Sequence, residues 1–406
     1  MSQVGPRREQ PISERAKAVS TSATLALTAR AKQLKAMGED VITLAAGEPD
    51  FDTPPHIKEA AERALREGRT KYTPSAGIQE LREAVAEKLE RENGVKYDPS
   101  EIIITCGAKG ALYLALQAIC DPGDEVIIPA PYWVTYPEQV KLAGAEPVVL
   151  DTSFEDGFKI NPDDLRRLVT VRTKALILNS PNNPTGAVYS REELAEIAEI
   201  ALEAGIWIIS DEVYEKMVYD GREHVCVASL SEDVRIHTIV INALSKTYSM
   251  TGWRVGYAAG PQKVISAMVK IQSHSISHPA SFAQYAALAA LKGDQSCVEE
   301  MVRAFAKRRE LVLRMASEIP QFEFKPPEGA FYLFPRVNGI WSSHWKGRIM
   351  DSSLTLCQYL LDEAKVAVIP GSPFGADKHL RISYAASERD IEEGMRRIKE
   401  ALERLS

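Results

Sequence analysis

Residues 242–256 read NALSKTYSMTGWRVG, and the run leading into them, Ile236 to Ile241, is apolar or β-branched except at His237. Such a run predicts a strand buried on both faces, the habit of parallel sheets. Ser245 and Lys246 follow within a few residues, and Gly252, Trp253 and Arg254 form the loop beyond. An ammonium buried at a strand end without a partner is costly. A lysine amine escapes that cost by condensing with an aldehyde. The plainer reading is a surface lysine in a βα loop, and this stretch alone leaves both open.

The chain on either side supplies the sheet. From Glu101 onward, strands over 102–105, 125–129, 147–150, 174–180, 206–210 and 236–241 alternate with helices over 107–119, 132–142 and 191–204, and 255–259 adds an antiparallel strand. This alternation implies an α/β fold with a mostly parallel seven-stranded sheet between helices. Ligands of such sheets bind outside the carboxyl ends of the strands. Gly107 to Lys109, Trp133, Asn183, Asp211 and Lys246 all follow strands. Long helices are expected over 261–291, broken at Pro279, and over 294–318. Short strands near 322–324, 331–335, 366–369 and 379–384, with helices near 351–363 and 387–405, predict a smaller α+β domain. The expected division is a large domain over 52–320 and a small one built from 1–51 and 321–406. One of Ser20, Thr21 and Ser22 is expected to cap the first long helix. The segment 338–350, rich in Trp, Ser and His, has no reading at this level.

Composition narrows the function. The chain has 406 residues, 45% hydrophobic and 26% charged, values of a soluble globular protein. A net charge of −7 shows no basic surplus and argues against nucleic acid as the main partner. The longest uncharged stretch, 271–291, contains Gln272, His274, His278 and Gln284 and is too polar to span a bilayer. The first residues, MSQVGPRREQPIS, lack the apolar core of a secretory signal. Five cysteines without a CxxC read as reduced thiols of a cytoplasmic protein. His274 and His278 have no carboxylate between them, and no metal site is expected.

The residues at the strand ends suggest a chemistry. Thr105-Cys-Gly-Ala-Lys109 joins strand to helix, and its small residues let backbone N–H groups face an anion. Lys109 adds a cation that could serve cofactor or substrate. Ser245 and Arg254 could complete a phosphate cup. Trp133 could stack on a flat ring or pack in the core. In SPNNPTG (180–186), Asn183 either offers an amide donor to a ring oxygen or shapes a structural turn. In IISDEVY (208–214), Asp211 follows a buried strand, where its carboxylate needs a partner. A pyridinium nitrogen is such a partner, and Tyr214 could hydrogen-bond the ring hydroxyl; a structural ion pair beside a packed tyrosine is the alternative. A lysine, an acid for the ring nitrogen and a phosphate cup are what pyridoxal 5′-phosphate requires. Arg381, in the alternating HLRISYA (379–385), reads as a bidentate carboxylate clamp or as a surface ion pair. Gly47 permits close ligand approach, and Tyr72 could reach a neighbouring subunit.

Together AAGEPDFDTP, KYTPSAGI, PNNPTG, SDEVY, SKTYSMTGWRVGY and RISYA resemble, in order, the class I aminotransferases of pyridoxal-phosphate fold type I, from about residue 20 onward. The resemblance implies that Lys246 carries the cofactor as a Schiff base and moves the substrate proton. Asp211 would pair with the ring nitrogen, Asn183 and Tyr214 with the ring hydroxyl, and Trp133 would stack on the ring. Ala108, Ser245 and Arg254 would bind phosphate, with Tyr72 arriving from the other subunit of a homodimer. Gly47 and Arg381 would take the α-carboxylate. GAK at 107–109 with SATLAL at 22–27 resembles the prokaryotic subgroup of aspartate aminotransferases, some of which also accept prephenate. Lys109 would then recognise the distal carboxylate, with help near Thr24. The implied reaction is aspartate plus 2-oxoglutarate to oxaloacetate plus glutamate. The rivals are aminotransferases for aromatic, prephenate or kynurenine-type substrates, a β-lyase, and a ligand-sensing regulator, which would need a DNA-binding segment. One departure is Ala243, where some relatives have serine.

Overall fold

Eight short runs of mostly aliphatic residues become strands in the first 260 residues of this computed structural model, which describes residues 12–20 and 23–405, the side chains of 23–26 and 28 excepted. They are β1 (Ile42–Thr43), β2 (Ile102–Thr105), β3 (Glu125–Ala130), β4 (Glu146–Asp151), β5 (Thr173–Asn179), β6 (Trp207–Asp211), β7 (Thr238–Ala243) and β8 (Gly256–Ala259). The last seven form one sheet in the order β2-β8-β7-β6-β5-β3-β4. β3 to β7 run parallel, and β8 lies antiparallel between β7 and β2. Every residue of β2, β7 and β8 is buried, which is why these strands read as continuous apolar runs rather than alternating ones.

Helices between the strands are delimited by ordinary signals. Ser190 and Glu193 form a capping box at the start of Arg191–Ala204, and left-handed Gly205 ends that helix. The helix Gly107–Ile119 starts straight after β2 without a side-chain cap, so its first N–H groups keep no side-chain partner.

The C-terminal part is joined to the N-terminal one by backbone pairing. β1 pairs in parallel with Val366–Ala367, and Ser383 N–H donates to the Leu44 carbonyl at 2.8 Å. Strands Tyr332–Leu333 and Ile369–Pro370 flank Leu380–Ser383, both antiparallel. The helix Glu388–Glu403 buries Ile391, Met395, Ile398 and Leu402. The loop following β1 is thereby carried to the edge of the large sheet. Among the described residues no helix is long and apolar enough to cross a membrane.

Two local expectations shift. The strand before Lys246 spans Thr238–Ala243, two residues later than its hydrophobic run suggests. Ser231 caps the one-turn helix Glu232–Arg235, and Ile236 is that helix's C-cap. The helix expected from Tyr132 begins at Thr135, leaving Tyr132 and Trp133 in the turn that leads to it. Thr21 and Ser22, two of the three expected caps, lie outside the described residues, and the third, Ser20, donates its N–H to Glu138. The unread segment 338–350 holds a small hairpin pairing His344–Trp345 with Arg348–Ile349.

Beside the sheet's edge the backbones approach closely. A Cβ on Gly256 would lie 2.6 Å from the Gly107 carbonyl carbon and 2.7 Å from the Ala108 nitrogen. Neither is a flexible side-chain tip. Gly256→Ala should lower stability by about 1–3 kcal/mol, measured by chemical denaturation. An unchanged midpoint would show that the turn at 107–108 does not depend on this approach.

Candidate active site

A cavity of about 510 Å³ opens at the carboxyl ends of the central strands. Lys246, Asp211, Tyr214, Asn183, Trp133, Ala108, Lys109, Ser245, Arg254, Gly47 and Arg381 all line it. The parallel sheet explains their convergence: adjacent strands end together, and the residues just past each end share one rim. Tyr72 does not join them within this chain. It is 91% exposed, with its ring edge-on to His278 at 5.8 Å. Thr24 falls in the helix Ala23–Ala36, but its side chain lies outside what is described. Lys32, on that same helix, does line the cavity.

Asp211 is the last residue of β6 and is 3% exposed. The Tyr136 hydroxyl donates to its Oδ2 at 2.8 Å, and the Val213 N–H donates to Oδ1 at 3.3 Å. No lysine, arginine or histidine forms an ion pair with it among the described residues. Burial pushes its carboxyl up to about 6, against the opposing pull of the Tyr136 and Val213 hydrogen bonds. Glu212, its neighbour, does not line the cavity; it accepts from Ser210 Oγ and contacts His224 Nε2.

Lys246 sits on a one-turn helix, Leu244–Thr247, directly after β7. Its ammonium donates to the Gly47 carbonyl. Burial brings its pKa down to about 8; Glu48 opposes this fall, while Arg381 and Arg254 add to it.

Arg381, in strand Leu380–Ser383, is 6% exposed. Its Nη1 donates to Asn183 Oδ1 at 3.0 Å and its Nη2 to the Ala45 carbonyl at 3.1 Å. Its Nε has no hydrogen-bond partner among the described residues. The guanidinium stacks 4.4 Å from the Tyr332 ring centroid and 5.2 Å from that of Phe374. A buried guanidinium that meets only neutral acceptors retains room for an anion. Asn183 is itself fixed, its N–H donating to Asn179 Oδ1 at 2.9 Å. The Tyr214 and Tyr332 hydroxyls share a hydrogen bond of 2.8 Å.

On the opposite side, the N-terminus of helix Gly107–Ile119 faces Arg254 and Ser245. Gly107 has φ +72°, and a Cβ there would meet the Arg254 guanidinium at 2.6 Å. Arg254 Nη1 donates to the Thr251 carbonyl. Helix N–H groups, a hydroxyl and a guanidinium together suit a phosphate. Lys109 Nζ lies 4.8 Å from the Trp133 ring centroid, and no ion pair holds it among the described residues. Loss of water there, and then Arg254, pull its pKa down.

Sequence reading missed cavity-lining residues that act on these side chains. Tyr136 stands three residues after Trp133, with the two ring centroids 5.5 Å apart, and that spacing was the available signal. Asn179 and Tyr332 offered none. Gly256 ends the quoted stretch, but only the partner backbone shows why it is glycine.

A family model for aminotransferases of class I and II matches residues 39–398. The chain belongs to the class I and II aminotransferases. A probable aspartate/prephenate aminotransferase of Aquifex aeolicus is 52% identical over 396 residues, 97% of this chain and 99% of that one. An aspartate aminotransferase of Bacillus subtilis is 49% identical over 395 residues, 97% of this chain and 100% of that one. The solved aspartate aminotransferase from Thermus thermophilus with maleate has a TM-score of 0.91 at 44% identity, covering 97% of this chain and 100% of that chain. The cofactor of this aminotransferase is pyridoxal 5′-phosphate, and the cavity fits it. Asp211 is a buried carboxyl awaiting a cation, and the Gly107 turn is a cradle for an anion that a Cβ would fill.

Without cofactor, ionised Asp211 is a liability. Its folded pKa of about 6 exceeds the ordinary 3.8, so the folded state binds the proton more tightly than the unfolded one. The cost is complete above pH 6 and vanishes as pH falls towards 4. In the cofactor-free aminotransferase, Asp211→Asn should therefore stabilise by about 1–3 kcal/mol at pH 8, with the gain gone near pH 4. With cofactor bound the order should reverse, because the ring nitrogen loses its counter-ion. Unfolding curves across this pH range test both signs, and a destabilised cofactor-free variant at pH 8 would contradict the account.

Proposed function

We propose that this aminotransferase transfers the amino group of L-aspartate to 2-oxoglutarate, giving oxaloacetate and L-glutamate, as a cytoplasmic homodimer. The observation that carries the reading is a pair of cations on one cavity, neither with a carboxylate partner among the described residues: Arg381 with its orphan Nε, and Lys109 over Trp133. A dicarboxylate supplies one anion to each. The names of the Bacillus and Thermus relatives agree, and maleate in the Thermus structure is itself a dicarboxylate. Prephenate is a second amino acceptor, favoured by the name of the Aquifex relative. Five free cysteines suit the cytoplasm. Exposed Tyr72 suits a hydroxyl delivered to the phosphate of a second copy.

When bound, pyridoxal phosphate supplies an electron sink for charge developing at the substrate α-carbon. The chain's own residues arrange the rest. Asp211 would keep a proton on the ring nitrogen. Asn183 and Tyr214 would hydrogen-bond the ring hydroxyl, and Trp133 would pack on the ring. The Ala108 N–H, Ser245 and Arg254 would hold the phosphate. Arg381 grips the α-carboxylate beside Gly47, where a Cβ would lie 3.6 Å from the Tyr332 hydroxyl and 3.9 Å from Arg381 Nη2. Lys246, brought to about 8, is near enough to neutrality to act as the base that moves the substrate α-proton. Lys109, aided from the helix that carries Thr24, sets preference for the acidic side chain.

Lys246→Ala should lose turnover while keeping a folded protein by circular dichroism. Borohydride reduction of the parent holoenzyme and peptide mapping should find the pyridoxyl label on Lys246; a label on another lysine would refute the assignment. Losing one ionic partner while the other charge stays buried commonly costs about 2–5 kcal/mol. Lys109→Ala should accordingly lower kcat/KM for aspartate and 2-oxoglutarate by about tenfold to a few thousandfold and leave alanine nearly unaffected. A panel of donors and acceptors tests this directly. If alanine and aspartate fall together, Lys109 serves the cofactor or the fold, and the acidic-substrate reading gives way to the aromatic one.

A further inference from the structure

Two loops meet above the cavity: residues 47–53, after β1, and residues 249–254, after the helical turn that carries Lys246. Ser249 and Arg254 bracket the second loop, and both have left-handed backbones, with φ of 51° and 56°. Such conformations are unfavourable for residues with a Cβ and persist only where the surroundings hold them. Here the first loop does the holding. Thr53 Oγ1 donates to the Ser249 carbonyl at 2.7 Å. The same oxygen accepts from Trp253 Nε1 at 3.0 Å. Thr251 Oγ1 donates to Glu48 Oε2 at 2.7 Å, and the Thr251 carbonyl accepts from Arg254 Nη1 at 2.6 Å.

Thr53 is 6% exposed and does not line the cavity. Nor does its hydroxyl cap the helix that follows, since Pro55–Arg66 has no side-chain cap. Both functions of the hydroxyl, donor and acceptor, are spent on the 249–254 loop. That loop delivers Arg254 to the turn at Gly107, where the guanidinium leaves no room for a Cβ.

We propose that Thr53 is a positioning residue whose hydroxyl fixes the 249–254 loop and so sets how tightly the cofactor phosphate is held by Arg254. The idea rests on the reading of Arg254 as a phosphate ligand. Thr53→Val keeps the shape and removes both hydrogen bonds, leaving an indole N–H and a carbonyl unpaired in a partly buried place. Thr53→Ser keeps the hydroxyl. Trp253→Phe removes one donor alone.

The test measures the dissociation constant of pyridoxal phosphate from holoenzyme by equilibrium dialysis, together with kcat and KM for aspartate and the unfolding midpoint of the cofactor-free protein. Thr53→Val should weaken cofactor binding by about ten- to a hundredfold. Thr53→Ser should restore it to within about threefold, and Trp253→Phe should fall between. A residue that merely supports the fold would lower the unfolding midpoint without this loss of cofactor affinity. Arg254→Ala is measured alongside. If it binds the cofactor as tightly as the parent, the phosphate reading and this proposal fail together. If it binds weakly while Thr53→Val binds normally, the positioning role alone is overturned. Should Thr53→Val not fold, Trp253→Phe decides, and parental affinity in that variant overturns the proposal.

Discussion

A carboxyl group buried at the end of a central strand, with no ion-pair partner among the described residues, is the constraint on which this site depends. Asp211 keeps its charge through a tyrosine hydroxyl, a backbone N–H and the more distant Lys246 ammonium, too little to hold its pKa at the ordinary value. An uncompensated charge in such a place is costly. The fold accepts that cost where a positively charged ring nitrogen can offset it. Tyr136, Asn179 and Val213, which also line the cavity, are therefore as much part of the site as the residues that would meet the cofactor.

The second constraint is topological. Parallel strands β5, β6 and β7 end on one rim and bring Asn183, Asp211 and Lys246 together. β8 enters antiparallel from outside, so its start, after Arg254, lies against the start of the helix that follows β2. The groups proposed to hold the phosphate, from two distant segments, thus meet at one turn, and glycine at both 107 and 256 is the steric condition of that meeting. The side proposed for the carboxylate is built differently, from β1, its parallel partner at Val366–Ala367 and the strand that carries Arg381.

What could be read without coordinates follows from this division. Strand-end residues were legible because βα alternation places them: Lys246, Asp211, Asn183 and Trp133 each follow a run whose apolar character survives any packing detail. The motif order added Arg381 and Gly47, which lie far from that alternation. Residues acting through others were not legible. Thr53 meets Trp253 across 200 positions, and no periodicity encodes such a pair. Tyr136 looked like one more aromatic on a helix. The strand before Lys246 was placed two residues early because Ile236 and His237 continue its hydrophobic pattern, whereas the Ser231 cap spends them on a helical turn. Tyr72 is exposed in this chain, and its expected place is in a second copy.

The pairing of β1 with Val366–Ala367 also bears on the order in which the molecule is made. Synthesis proceeds from the N-terminus, so the sheet with Asp211, Lys246 and Arg254 is complete while β1 still lacks its partner strand. Arg381 emerges later still. A chain growing on the ribosome can thus assemble the half of its cavity that suits the cofactor before the half that suits the substrate exists. The contacts that close the second half have the longest sequence separations and the largest loop-closure cost. The cofactor-facing half is the natural early scaffold, and the carboxylate clamp is the last piece to be set into it.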